Sequence, residues 1–140
     1  MTADLYWLVL TALMTLVIAV PYVVERILRV GFMPALGHNK ESSTAGFDQV
    51  TEKPAAWAKR AHSAHRNAIE SFAVFAALIL VAHIAGIGGA NVVLAAKVYF
   101  FARLAHFIVY TAGIPILRTL AFFAALGAQF YIGYLILAGG

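Results

Sequence analysis

The chain has 140 residues, of which 63% are hydrophobic and 11% charged, and its mean hydropathy is +0.87. That composition excludes an ordinary soluble domain, whose apolar share stays nearer half. Lys and Arg number 10 against 6 acidic residues, and cysteine is absent, so disulfides, thiolate nucleophiles and thiolate metal sites are excluded and any thiol chemistry needs a bound thiol.

The first apolar stretch runs from Leu5 to Leu28. It is preceded by Asp4 and by no Lys or Arg, and it exceeds the roughly 7 to 15 apolar residues of a signal-peptide core. It is therefore read as a retained membrane helix. Turn formers and charges then break the apolar pattern over residues 31–56, the one long connection. Three more stretches follow, Trp57 to Ala85, Val92 to Ala112 and Ile116 to Ala138. Each approaches the roughly 20 residues that cross about 30 Å of hydrocarbon as a helix. Strands do not suit them, because a four-stranded barrel cannot close and an open sheet edge in lipid leaves backbone groups unpaired.

The second and third connections, Gly86 to Asn91 and Gly113 to Pro115, are short. Short connections place successive helices side by side and antiparallel. The expected fold is an all-α membrane protein, one antiparallel four-helix transmembrane bundle over residues 1–140. Arg26, Arg29, Lys40, Lys53, Lys59, Arg60 and Arg66 cluster in or beside the first loop, while the N-terminus, the second connection and the C-terminus carry no Lys or Arg. The positive-inside rule puts that loop in the cytoplasm and both termini outside. A basic excess confined to one connection is also unlike a nucleic-acid-binding stripe, so no nucleic acid is expected as a partner. Tyr6, Trp7, Tyr131 and Tyr134 read as interface anchors, and Lys97 and His83 as outer-interface groups or groups satisfied inside the bundle.

Polar residues inside apolar spans carry the functional signal, since a charge near the bilayer centre costs at least ~2.5 kcal/mol and persists only with partners or a wet cavity. The second helix holds His62, His65, Arg66, Asn67 and Glu70 just before the apolar run Phe72 to Ala82. Arg66 and Glu70, four apart, share a face and can serve each other as an ion pair or serve a ligand together. In the third helix Arg103, His106 and Tyr110 follow at steps of three and four, which stacks them on one stripe with Tyr99 a turn earlier. Arg118 and Thr119 open the fourth helix after Pro115. All lie toward the basic loop and can converge on one polar pocket.

Other chemistries lack their signatures. His62 and His65 are three apart with no Cys nearby, and no Glu-x-x-His pair of the di-iron kind occurs, so no metal is expected. No glycine-rich phosphate loop precedes a helix, and Ser63 and Ser71 stand in no nucleophile elbow. A transporter would be longer, with repeats and broken helices.

Arg60 with Ala64-His65-Arg66-Asn67-Ala68-Ile69-Glu70, then Arg103-Leu104-Ala105-His106-Phe107-Ile108-Val109-Tyr110 with Arg118-Thr119, resemble the membrane-associated proteins in eicosanoid and glutathione metabolism, the MAPEG family. Pro21-Tyr22 through Arg29-Val30-Gly31 resembles the end of the first helix in bacterial members. The resemblance covers essentially the whole chain. It implies a homotrimer in a bacterial inner membrane, with glutathione as co-substrate between neighbouring subunits and no metal. It further implies a transferase or peroxidase acting on hydrophobic electrophiles, with Arg118 as the catalytic residue that favours the thiolate. Arg66, Asn67, Glu70, His106 and Tyr110 would hold the tripeptide, Glu70 taking its ammonium, with Arg60, Arg103, Thr119 and Arg29 as further contacts. Either Arg26 or Arg29 would reach the adjacent subunit. Several relatives have an Arg where this chain has Ser63, so one carboxylate contact is expected to be missing unless Arg60 or Arg66 supplies it. The same polar pocket also suits a non-catalytic module binding lipid headgroups or a partner helix, or a family enzyme using another low-molecular-weight thiol.

Overall fold

A computed structural model of the chain describes residues 1–32 and 53–139. The helices are α1 (Ala3–Val17), α2 (Val20–Val30), α3 (Ala56–Ile84), α4 (Ala90–Ala112) and α5 (Pro115–Gly139). Four segments are long and apolar enough to cross a membrane: Ala3–Val30, which joins α1 and α2, then α3, α4 and α5. The chain is an all-α integral membrane protein. Most of the expected loop over 31–56, including Lys40, lies outside the described residues.

The first span is interrupted where the sequence reading drew one helix. Pro21 stands at the start of α2 and has no N–H for the carbonyl of Val17, four residues earlier, so the α-helical ladder cannot run through. The turn at Ile18 and Ala19 tightens instead, with Ala19 N–H donating to Leu16 O at 3.2 Å.

The interior inverts the pattern of a soluble bundle. Its main cluster is Phe75, Ile79 and Ala82 of α3, Val92, Ala95, Ala96, Tyr99 and Ala102 of α4, and Ala125, Ala128 and Ile132 of α5. Alanine dominates because helices in lipid gain from close backbone approach rather than from hiding oil. The large apolar side chains stand on the outside, with Ile84 83% and Leu137 85% exposed. Hydrocarbon solvates them at no cost. A second cluster, Tyr22 with Ala58 and Ala61, fastens α2 to α3.

Polar groups within the spans are mostly satisfied locally. Thr11, Thr15, Ser63 and Thr119 hydroxyls each donate to the carbonyl four residues back, at 2.7 to 3.1 Å. At one end of the bundle the buried Asp4 carboxylate lies 3.0 Å from His83 Nδ1, tying the start of α1 to the end of α3. Lys97 lies over the Trp7 ring, 5.8 Å from its centroid. Trp7 packs edge-on against Phe100, so it joins two helices as well as facing outward.

At the opposite end α4 stops on Gly113, with φ +83°. Gly113 N–H donates to Tyr110 O and Ile114 N–H to Val109 O, at 3.0 and 2.9 Å. This paired closure needs a left-handed residue, which glycine takes without a Cβ penalty. Pro115 then starts α5, where a missing N–H costs nothing. The corner is thus two residues long, and it brings Arg118 back beside Tyr110.

Candidate functional site

Between α3, α4 and α5 at the Gly113 end lies a cleft of about 330 Å3, lined by Ser63, Asn67, His106, Tyr110, Arg118, Thr119, Phe122 and Phe123. Helical spacing accounts for the set. Ser63 and Asn67 are one turn apart on α3, His106 and Tyr110 one turn apart on α4, and Arg118 with Phe122 one turn apart on α5. The floor is polar and the wall on the α5 side is aromatic. A smaller cavity of about 170 Å3 adjoins it, lined by Arg60, Tyr110, Gly113, Ile114, Pro115 and Arg118. Tyr110 and Arg118 belong to both.

Arg118 lies over the Tyr110 ring, its guanidinium carbon 4.7 Å from the centroid. Tyr110 in turn meets the His106 ring edge-on at 5.5 Å. The ring contact holds the guanidinium without using its N–H donors, which are left for a ligand. Arg118 also stands in the first turn of α5, where the helix dipole is positive. Two positive fields meet there, and an anion relieves both.

Behind the cleft Arg103 is 2% exposed. Its Nη2 donates to Asn67 Oδ1 at 3.0 Å, while Nε and Nη1 have no partner among the described residues, nor has His106 Nδ1. A buried cation with two idle donors, beside an idle ring nitrogen, matches a ligand rich in carboxylates and amides.

Not every residue implied by the resemblance meets in this cleft. Asn67, His106, Tyr110, Arg118 and Thr119 line it, and Arg103 backs it. Arg60 lies on the adjoining cavity, where its Nε donates to Thr111 O at 2.9 Å. Arg66 and Glu70 face outward from α3 and are exposed, and the structure forms no ion pair between them. The ammonium partner expected in Glu70 is therefore absent from the cleft lining of a single chain. Arg29 sits away from it on α2, bonded through Nε to Glu25 Oε1 at 3.0 Å. That same oxygen accepts from the Ala55 N–H at 3.2 Å, fixing the entry to α3. Tyr99 leaves the expected stripe of ligand groups: its hydroxyl meets Ser71 Oγ at 2.9 Å and its ring stacks on Phe75 at 3.9 Å.

Sequence reasoning missed Phe122, Phe123 and Gln129. The phenylalanines stand in a continuous apolar run, which gives them no signal of their own. Gln129 Nε2 donates to Ser71 O at 2.7 Å, joining α5 to α3 below the cleft. Its signal was legible, a single amide inside the apolar run from Leu120 to Phe130 of α5. Beside Gln129 and onward away from the cleft, Val74, Leu78, Leu126, Phe130, Gly133, Tyr134 and Leu137 border a largely apolar groove of about 460 Å3.

The model of the MAPEG family matches residues 4–138. No curated protein and no solved structure matches the chain.

Proposed function

The chain belongs to the MAPEG family, and from that premise we propose that it is a membrane glutathione transferase or peroxidase acting on hydrophobic electrophiles. The observation that carries this reading is the guanidinium of Arg118, set over the Tyr110 ring in a cleft with an aromatic wall. Glutathione brings two carboxylates, two amides, an ammonium and a thiol. Arg103 and His106 have idle buried polar atoms for such a ligand, Asn67 and Thr119 add amide and hydroxyl partners, and Arg118 favours the thiolate over the thiol.

In the transferase reaction the thiolate sulfur forms a bond to the electrophilic carbon, the leaving group departs with its electron pair, and the thiol proton passes to water. With a hydroperoxide, sulfur attacks the distal oxygen, the O–O bond breaks and an alcohol leaves. A second glutathione then displaces water from the sulfenic acid, giving the disulfide. Phe122 and Phe123 offer an apolar electrophile a surface beside the sulfur.

The reading extends to assembly and orientation. We place glutathione between neighbouring subunits of a homotrimer, because Arg66 and Glu70 are exposed beside Ile69 on the outer face of α3. Charges on that face need a neighbour rather than lipid. A second copy would bring Glu70 toward the ammonium, and Arg26 or Arg29 toward a carboxylate. The basic end faces the cytoplasm and both termini face outward across a bacterial inner membrane.

Calorimetry and conjugation of a dinitro-aryl chloride in detergent test the reading. Wild type binds millimolar glutathione. Arg118→Ala lowers kcat about 100-fold, the usual scale for removing one electrostatic stabiliser. The acidic limb of the pH profile also moves up toward the ordinary thiol pKa of about 8.5: a cation that lowers the thiol pKa keeps thiolate present at lower pH, and its loss withdraws that activity first. No binding by wild type, with both proteins equally inactive, would sink the proposal.

A second reading rests on one observation: among the described residues, no carboxylate lines the cleft. That favours a thiol without a free ammonium, and identifying the thiol that co-purifies decides between the two. Recovery of a phospholipid instead, with no thiol, would favour a non-catalytic headgroup-binding module.

A further inference from the structure

We infer that Arg60 is a positioning residue, acting through the α4–α5 corner to hold Arg118 in place, rather than a ligand contact. The inference rests on the functional reading of Arg118. It starts from what Arg60 already touches. Its Nε donates to the Thr111 carbonyl at 2.9 Å, in the last turn of α4. The last carbonyls of a helix have no partner within it, and a cation there also meets the negative end of the dipole.

The side chain then passes directly over Gly113. A Cβ built on that glycine would lie 3.3 Å from Arg60 Nε and 3.4 Å from Cζ. Two independent demands therefore fall on one residue: the left-handed φ of +83° and the close passage of a guanidinium. From Gly113 the chain reaches Arg118 in five residues, and the Arg118 N–H already bonds Ile114 O at 3.1 Å. The short corner has little slack. A shift where Arg60 grips α4 is passed to the first turn of α5, and so to the stacking of Arg118 on Tyr110. Arg60, Gly113 and Arg118 all line the 170 Å3 cavity together with Tyr110, so the corner and the guanidinium it positions border one space.

Kinetics and chemical labelling of Arg60→Ala, Arg60→Lys and Gly113→Ala in detergent test this. A misplaced catalytic group costs rate more than affinity. Arg60→Ala and Gly113→Ala should each lower kcat by on the order of tenfold to a hundredfold with little change in KM for glutathione. Arg60→Lys, which keeps a donor for Thr111 O, should recover part of kcat. Phenylglyoxal labelling of Arg118, read by mass spectrometry, should rise in both alanine variants, because the stacked guanidinium is released. A raised KM in Arg60→Ala, with wild-type kinetics and labelling in Gly113→Ala, would overturn the inference and make Arg60 a ligand contact. The labelling needs no activity. If wild type fails to use glutathione yet labelling rises in both variants, the functional reading fails and the positioning role stands. Active wild type with unchanged kcat and labelling in the variants fails the positioning role alone.

Discussion

Arg103 shows what a single side chain in this bundle has to satisfy. Its guanidinium is buried and, among the described residues, has one hydrogen bond, to Asn67. Removing that acceptor leaves a charged donor with nothing in its place, and hydrogen bonds to charged groups contribute about 1.5–3 kcal/mol. Asn67→Ala should lower stability to unfolding in detergent by about that amount, measured as a shift in the denaturation midpoint. An unchanged midpoint would mean that Arg103 finds another partner. The stripe of Arg103, His106 and Tyr110 was legible because steps of three and four bring side chains to one helix face. Tyr99 obeys the same spacing but has a nearer partner in Ser71, from another helix, and no spacing rule within one helix contains that information.

At the scale of elements, the four spans follow from apolar length, and the short connections set their neighbours. What length does not give is the break within the first span or the tie between α3 and α5. Pro21 lies inside the apolar stretch from Leu5 to Leu28, but apolar length alone counts that stretch as one helix and does not register the missing N–H. The tie depends on Gln129 and Ser71, 58 residues apart. Interhelical hydrogen bonds in membranes contribute on average about 0.6 and at most about 1.7 kcal/mol. Gln129→Leu should therefore cost within that range in a detergent unfolding titration, without altering the helix content seen by circular dichroism. A larger loss would show that Gln129 also organises the polar cleft above it.

Over the whole molecule, ionisable groups gather toward the two ends, while the middle is packed mainly with alanine and tied by Gln129, Ser71 and Tyr99. The Asp4 and His83 pair closes one end. Arg60, Arg103, His106, Tyr110 and Arg118 gather at the other, around a cleft walled by Phe122 and Phe123. Arg66 and Glu70 stay exposed on α3, on the face where the proposed homotrimer would set a second copy. We propose that this cleft takes glutathione and holds its sulfur as thiolate against Arg118. Ultraviolet difference absorbance on titrating glutathione into the detergent-solubilised protein near neutral pH measures the thiolate directly. A thiolate band that saturates with glutathione in wild type and is lost in Arg118→Ala is the predicted result. Saturable glutathione binding with no thiolate band in wild type, or an equal band in both proteins, would contradict the claim.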